Sequence, residues 1–183
     1  MERVAVDDVE NRVQPAAVLK PLTDALGCTD LALNYYELAP GDSFAFAYHS
    51  HDAQEEVFVV IEGEATFETS ARPGGTEDAP GEPGSGDVRE VSVGPNEAIH
   101  FAPGEFQRGW NRGDERVRAF ALGAPLVYEG GETLVECPEC GDRTEHDIVD
   151  ADDEPAARAV VCTECGTETQ RWRRGPDGEN EWV

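Results

Sequence analysis

Positive charge is what this chain has least of. Lys plus Arg number 14 against 39 Asp plus Glu, Lys20 is the one lysine, and the formal net charge is −25 over 183 residues. That balance argues against nucleic acid as a partner, because phosphate-led binding needs clustered cations and weakens steeply as salt rises. Long apolar runs are scarce as well. No stretch approaches the roughly eighteen consecutive apolar residues of a membrane-spanning helix, so no membrane contact is expected. The opening Met1-Glu-Arg-Val-Ala-Val-Asp-Asp has no basic region followed by an apolar run, which excludes a secretory signal and points to a cytoplasmic protein. Extended helical patterns are also missing.

The acidic surplus carries its own implication. A charge of −25 destabilises a compact fold through self-repulsion unless salt screens it. At about 1 M salt the Debye length falls to ~3 Å, so the carboxylates repel weakly while still holding water. The composition therefore predicts adaptation to a salt-rich cytoplasm. Hydrophobic residues make up 39% of the chain and recur in alternating segments, so any disorder should be local.

What is present reads as β structure. Runs at 31–38, 44–51, 56–61, 64–69, 88–93, 98–101 and 117–122 are short, rich in Val, Phe, Tyr and Ile, and bounded by Gly, Pro or Asp. Many short strands in succession predict an all-β sandwich or barrel over 31–126. Residues 1–30 form an arm with Pro15 and Pro21, expected to make a helical turn or two or to cover an open sheet edge. Residues 71–87 hold too much Gly and Pro for any element, and predict an acidic hairpin loop, either a spacer or a lid.

His49-Ser-His51 supplies the first chemical signal. Side chains two apart on a strand face the same way, so the two imidazoles should project together with Ala45 and Ala47, leaving Phe44, Phe46 and Tyr48 on the other face. After the turn at 52–54, the same phase places Glu56 with Phe58 and Val60, and turns Glu55 outward. His49, His51 and Glu56 make two neutral nitrogens and one carboxylate, a facial set that leaves coordination positions open on Fe2+ or a similar divalent ion. His100 reads as a hydrogen-bonded structural histidine, and Cys28 as a small buried hydrophobe.

These residues resemble the cupin superfamily. Its first motif, Gly, His-x-His, three or four residues, Glu, six residues, Gly, is matched by His49, His51, Glu56 and Gly63, and its second aligns with 102–111, from Ala102-Pro103-Gly104 to Asn111. The likeness covers about residues 30–125 and implies a jelly-roll barrel with a metal inside, Fe2+, Mn2+, Ni2+ or Zn2+, and a tendency to pair into homodimers. With the acidic composition, it suggests a haloarchaeal member. Gly41 lies two positions further from His49 than the usual pattern places it, Ala102 replaces a proline, and Gln107 stands where the motif has its last histidine. A glutamine oxygen is a weak ligand, so the site is either a triad with Gln107 as an optional fourth oxygen, or a pocket without metal in which Gln107 bonds an organic ligand.

The second signal is Cys137-Pro-Glu-Cys140-Gly141 and Cys162-Thr-Glu-Cys165-Gly166, separated by 21 residues, 141–161. Four thiolates give closed tetrahedral coordination, and a glycine after each second cysteine permits the tight turn that aims amides at sulfur. Cys137, Cys140, Cys162 and Cys165 thus predict a zinc ribbon over 137–174 with structural Zn2+, its strands joined by an acidic loop at 150–155, and a loose tail at 175–183. A βαβ pattern, which a thioredoxin-like redox motif would need, is absent. Arg171, Arg173 and Arg174 should neutralise neighbouring carboxylates, and the ribbon's expected partner is another protein.

Function is expected at the barrel: a divalent metal, a small-molecule ligand or both, in a metal-dependent oxygenase or isomerase. The alternative is a non-catalytic ligand sensor or interaction protein whose only metal is the ribbon zinc. Beyond the triad no general acid, base or nucleophile stands at motif spacing, so no catalytic residue is assigned.

Overall fold

The computed structural model describes residues 1–70, 88–126, 130–151, 153–154 and 156–183. The expected loop at 71–87 lies outside them, as do Asp152 and Pro155 of the expected loop at 150–155. Among the described residues fourteen strands follow one another: β1 Val18–Pro21, β2 Ala32–Leu38, β3 Tyr48–His49, β4 Glu55–Glu62, β5 Ala65–Ser70, β6 Arg89–Val93, β7 Ala98–Phe101, β8 Phe106–Trp110, β9 Val117–Ala124, β10 Thr133–Cys137, β11 Asp142–Asp150, β12 Arg158–Cys162, β13 Glu168–Arg174 and β14 Asn180–Trp182. Among the described residues the helical content is one 3₁₀ turn, Val6–Asp8, and no helix is long and apolar enough to cross a membrane.

Two sheets result, ordered β1-β2-β9-β4-β7 and β14-β13-β12-β11-β10-β3-β8-β5-β6. Period-two burial explains how they close. Along β9, Val117, Ala119 and Ala121 are buried and meet Leu38 of β2 and Val60 of β4; from the other sheet Ala65, Phe67 and Val93 point back at them. Phe67 anchors this core, its ring 5.5 Å from Phe44, 5.0 Å from Phe58 and 5.6 Å from Phe101. Gly109 on β8 makes room for the stack: a Cβ there would lie 2.5 Å from the Phe67 ring and 2.6 Å from Phe44. The architecture is an all-β, cupin-type jelly roll, with a four-cysteine, ribbon-like unit following it.

That unit does not stand apart. β10 pairs with β3 on one side and β11 on the other, so β10–β14 continue the barrel's own sheet. Phe46 and Ala47 pack with Val135, Val160 and Trp172, and Tyr48 packs with Phe106 and Leu134.

Three expectations need correction. Residues 44–51 are not one strand: only Tyr48–His49 qualifies, and Phe44, Phe46 and Tyr48 enter three separate clusters. Ala47, expected beside the histidines, is buried in the Phe46 cluster instead. The tail is not loose, because β14 pairs with β13, Trp182 meets the Trp172 ring at 5.4 Å, and the buried Asn180 amide donates to Arg12 and Ala16 carbonyls at 2.8 Å each. Gly175-Pro176-Asp177-Gly178 turns the chain back, with the Gly178 amide on the Gly175 carbonyl at 3.1 Å. In the arm both alternatives appear: Val6–Asp8 makes the helical turn, and β1 is itself the edge strand, paired with β2.

Candidate metal centres

β3, the two residues that follow it and β4 bring the barrel residues together. One ligand atom each from His49, His51 and Glu56 lies within 4.8 Å of the others, and the His51 Nε2 is 3.4 Å from the Glu56 Oε2. The two imidazoles stand nearly perpendicular, 85° apart with centroids 5.0 Å distant. His49 Nδ1 meets the Ala47 carbonyl at 3.1 Å, which puts the proton on Nδ1 and leaves the Nε2 lone pair free. Burial pushes the His49 imidazole below its usual pKa, which favours the neutral form a metal ligand needs.

Gln107 sits on β8 directly opposite His49 and is 1% exposed. Its amide nitrogen donates to Glu56 Oε2. A carboxylate only accepts hydrogen bonds, so this contact fixes which end of the amide faces Glu56. Gln107 therefore acts on the carboxylate through its NH₂ group, whereas the motif alignment offers its carbonyl oxygen as a fourth ligand. Glu55 faces outward as strand phase predicted, bonding His100 at 2.9 Å on the exposed surface. His100 takes no part in the triad.

The remaining motif positions hold backbone. Gly104, at φ +82°, donates its amide to the His51 carbonyl at 2.8 Å, so the turn of the second motif clasps the first. Asn111 is buried and donates to the Leu38 and Glu115 carbonyls at 3.0 and 2.8 Å. At Gly63, φ is +74° and a Cβ would meet the Arg116 carbonyl oxygen at 2.6 Å.

The second cluster forms at the ends of β10 and β12. Sulfur atoms of Cys137, Cys140, Cys162 and Cys165 lie within 4.8 Å of one another, with Cys137 and Cys165 at 3.5 Å and Cys140 and Cys162 at 3.9 Å. Gly141 and Gly166 adopt φ of +75° and +76°, and their amides return to the Cys137 and Cys162 carbonyls at 2.9 Å each. Thr144, unnoticed in the sequence, contacts the Cys162 sulfur at 3.3 Å. This hydrogen bond, ahead of two backbone ones, pulls the Cys162 thiol down to about 6. Hydrogen bonding among the sulfurs pushes the Cys140 thiol up instead, so the favoured thiolate is Cys162, and four sulfurs this close could hold a metal ion.

The arginines of 171–174 are occupied. Arg171 pairs with Glu168 and Asp153 at 2.7 Å each, Arg173 with Glu181 at 2.9 Å and Glu154 at 3.2 Å, and Arg174 with neutral acceptors including Asn180.

No family model matches the chain, and no curated protein sequence matches it. Solved structures do. A sugar phosphate isomerase of the cupin superfamily from Silicibacter pomeroyi DSS-3 aligns over 99% of this chain and 91% of its own, at 14% identity and a TM-score of 0.51. A putative sugar phosphate isomerase from Acidithiobacillus ferrooxidans ATCC 23270 aligns over 97% and 86%, at 17% identity and 0.51. The formate complex of Lactobacillus farciminis oxalate decarboxylase aligns over 70% of this chain but 34% of its own, at 16% identity and 0.53. Identities this low establish the fold: the chain has the cupin-type double-stranded β-helix.

Proposed function

We propose that the barrel binds one divalent transition ion through His49, His51 and Glu56, and that Gln107 positions Glu56 rather than completing the coordination. The convergence of the three ligand atoms within 4.8 Å, with His49 held at Nδ1 by a backbone carbonyl, carries this reading. The donor set of two imidazoles and a carboxylate fits Fe2+, Mn2+, Ni2+ or Zn2+. Such an ion, when bound, polarises oxygen atoms of a ligand as a Lewis acid. Under this reading the four cysteines hold a structural zinc.

The protein's own contribution is orientation. Gln107 keeps one Glu56 oxygen engaged, the Gly104 amide fixes the His51 backbone, and Phe58, Phe67, Phe101 and Tyr36 fill the barrel behind the site. A small oxygen-rich ligand suits an ion held by this donor set. Sugar phosphates and short dicarboxylates, the chemistry of the proteins with similar folds, are the first candidates, and the reaction class is metal-dependent isomerase or oxygenase. Gln107 favours a second reading, since an uncharged donor in place of a fourth ligand suits a non-catalytic ligand sensor. The acidic composition is taken as adaptation to molar salt, and homodimer formation and a protein partner for the cysteine unit are part of the same proposal.

Metal analysis of protein purified in molar salt without chelator tests the centre. Two ions per chain are expected, one of them lost in His49→Ala; a single ion unaffected by that substitution would sink the barrel reading. Calorimetric titration of the loaded protein with a sugar phosphate and with oxalate then separates the ligand classes, and turnover of a bound ligand separates enzyme from sensor.

A further inference from the structure

We infer that the four-cysteine cluster governs the metal capacity of the barrel, because the strands that carry its ligands are the same strands that hold the histidine segment in place. The inference rests on the proposed triad, but its mechanical half can be measured without it.

β10 is five residues long, ~13 Å from end to end at the usual rise per residue. Cys137 stands at one end. At the other, Thr133 pairs with His49 and Leu134 with Tyr48. β12 repeats the arrangement: it ends in Cys162, and two residues earlier Val160, fully buried, packs against Phe46 and Ala47. Each of the two knuckles therefore begins on a strand whose body bears on the segment leading into His49.

The backbone of that segment is held from the barrel side at its two ends, where the Phe44 amide donates to the Gly109 carbonyl at 2.9 Å and the Gly104 amide to the His51 carbonyl at 2.8 Å. Only Tyr48 and His49 are in strand conformation, and β3 meets β8 through the single pair His49–Gln107. Two further contacts come from the cysteine unit and its approach. The Gln170 amide donates to the Phe46 carbonyl at 3.1 Å, and the Ser50 amide donates to the Glu132 carbonyl at 3.1 Å. Phe46 itself is buried by Val135, Val160 and Trp172.

A metal tying the four sulfurs holds the ends of β10 and β12 in register. Without it, the sulfurs keep only weak thiol contacts at 3.5 and 3.9 Å, and the β10–β11 and β12–β13 hairpins rest on their backbone pairing without the crosslink between them. The histidine segment then loses Thr133, Val160 and Gln170 together. His49 and His51 no longer converge on Glu56, and the barrel cannot hold its ion. Metal at the cysteines thus gates the barrel through one shared sheet, with no contact between the centres.

Hydrogen exchange read by mass spectrometry tests this on the full chain in molar salt. Exchange over 44–51 is compared with and without chelator, in the wild type and in a His49→Ala/His51→Ala variant that cannot form the triad. Chelation is expected to speed exchange about tenfold or more over both 137–174 and 44–51 in both proteins. Loosening confined to 137–174, or no change in either segment, overturns the inference. Phe46→Ala supplies the converse arm: it should keep the cysteine-bound ion and weaken Co2+ uptake at the barrel about tenfold, and unaltered uptake overturns the link. If the wild type takes up one ion only, the triad reading fails, and the exchange arm alone decides the coupling.

Discussion

Gln107 and Glu56 are 51 positions apart in the chain and joined by one hydrogen bond, the amide nitrogen of the first donating to the carboxylate of the second. The position the cupin motif gives to a ligand is here given to a donor that holds the Glu56 carboxylate, the proposed third ligand. Gln107→Ala should therefore lower barrel metal affinity roughly 10- to 100-fold, the usual cost of losing a partner behind a metal ligand. Gln107→His should tighten metal retention. Both are read by competition against a chromogenic chelator, and unchanged occupancy in both would place position 107 outside the site's influence.

Glu55 and Glu56 are adjacent but face opposite ways, so they give a paired control. Glu56→Gln should abolish the His49-dependent ion while the cysteine-bound ion stays. Glu55→Gln removes an exposed contact to His100, worth about 0–1 kcal/mol at most, and should leave both ions in place. Loss of metal in the Glu55 variant would reverse the assignment.

Gly109 is expected to tolerate no side chain. A Cβ 2.5 Å from the Phe67 ring and 2.6 Å from Phe44 overpacks the core from its centre. Gly109→Ala should cost about 1–3 kcal/mol, seen as a lower urea midpoint with an unchanged slope. A midpoint equal to the wild type would mean that the aromatic stack shifts at no cost.

Asn180 clamps the C-terminal strand to the arm through the Arg12 and Ala16 carbonyls. Asn180→Ala strips both of their donor, with an expected loss of about 1–3 kcal/mol for each one left without a partner. Glu181→Gln, which removes only a partly exposed pair with Arg173, should change stability by less than about 1 kcal/mol. Equal effects would argue that the strand contributes through its charges.

Thermal stability should rise with salt. At a net charge of −25, screening relieves repulsion among carboxylates over the whole surface, whereas the ion pairs it weakens are mostly exposed and individually small. The midpoint of unfolding is expected to climb between roughly 0.1 and 2 M KCl, where the Debye length shrinks from ~10 Å to under ~3 Å. A falling midpoint would show that the ion-pair networks dominate and would remove the case for salt adaptation.

Strand alternation was legible where one sheet face meets one core. Val117, Ala119 and Ala121 are buried in sequence order, and Glu56 faces away from Glu55, because a period of two is a local property of extended backbone. The same rule failed over 44–51. Phe44, Phe46 and Tyr48 alternate as a strand does, yet each is claimed by a different cluster, and the backbone leaves strand geometry to reach them. β8 lacks a period-two signature because Phe106 and its neighbour Gln107 are both buried, and in the tail Gly175-Pro176-Asp177-Gly178 is the turn signal that returns β14 onto β13.

The sequence by itself determined the chemistry available: two imidazoles and a carboxylate at strand spacing, two cysteine knuckles with their glycines, and a surface of carboxylates. Residue type, side-chain phase and turn propensity act over a few residues, so they can be read from neighbours along the chain. Tertiary structure alone decided that Gln107 turns its nitrogen to Glu56, that Ala47 sets the His49 tautomer, and that β10 joins β3 so one sheet carries both centres. Apart from the local Ala47–His49 contact, those choices are made between distant segments, as with Gln170 and Phe46, 124 positions apart, where only the joint packing of the strands selects the partner.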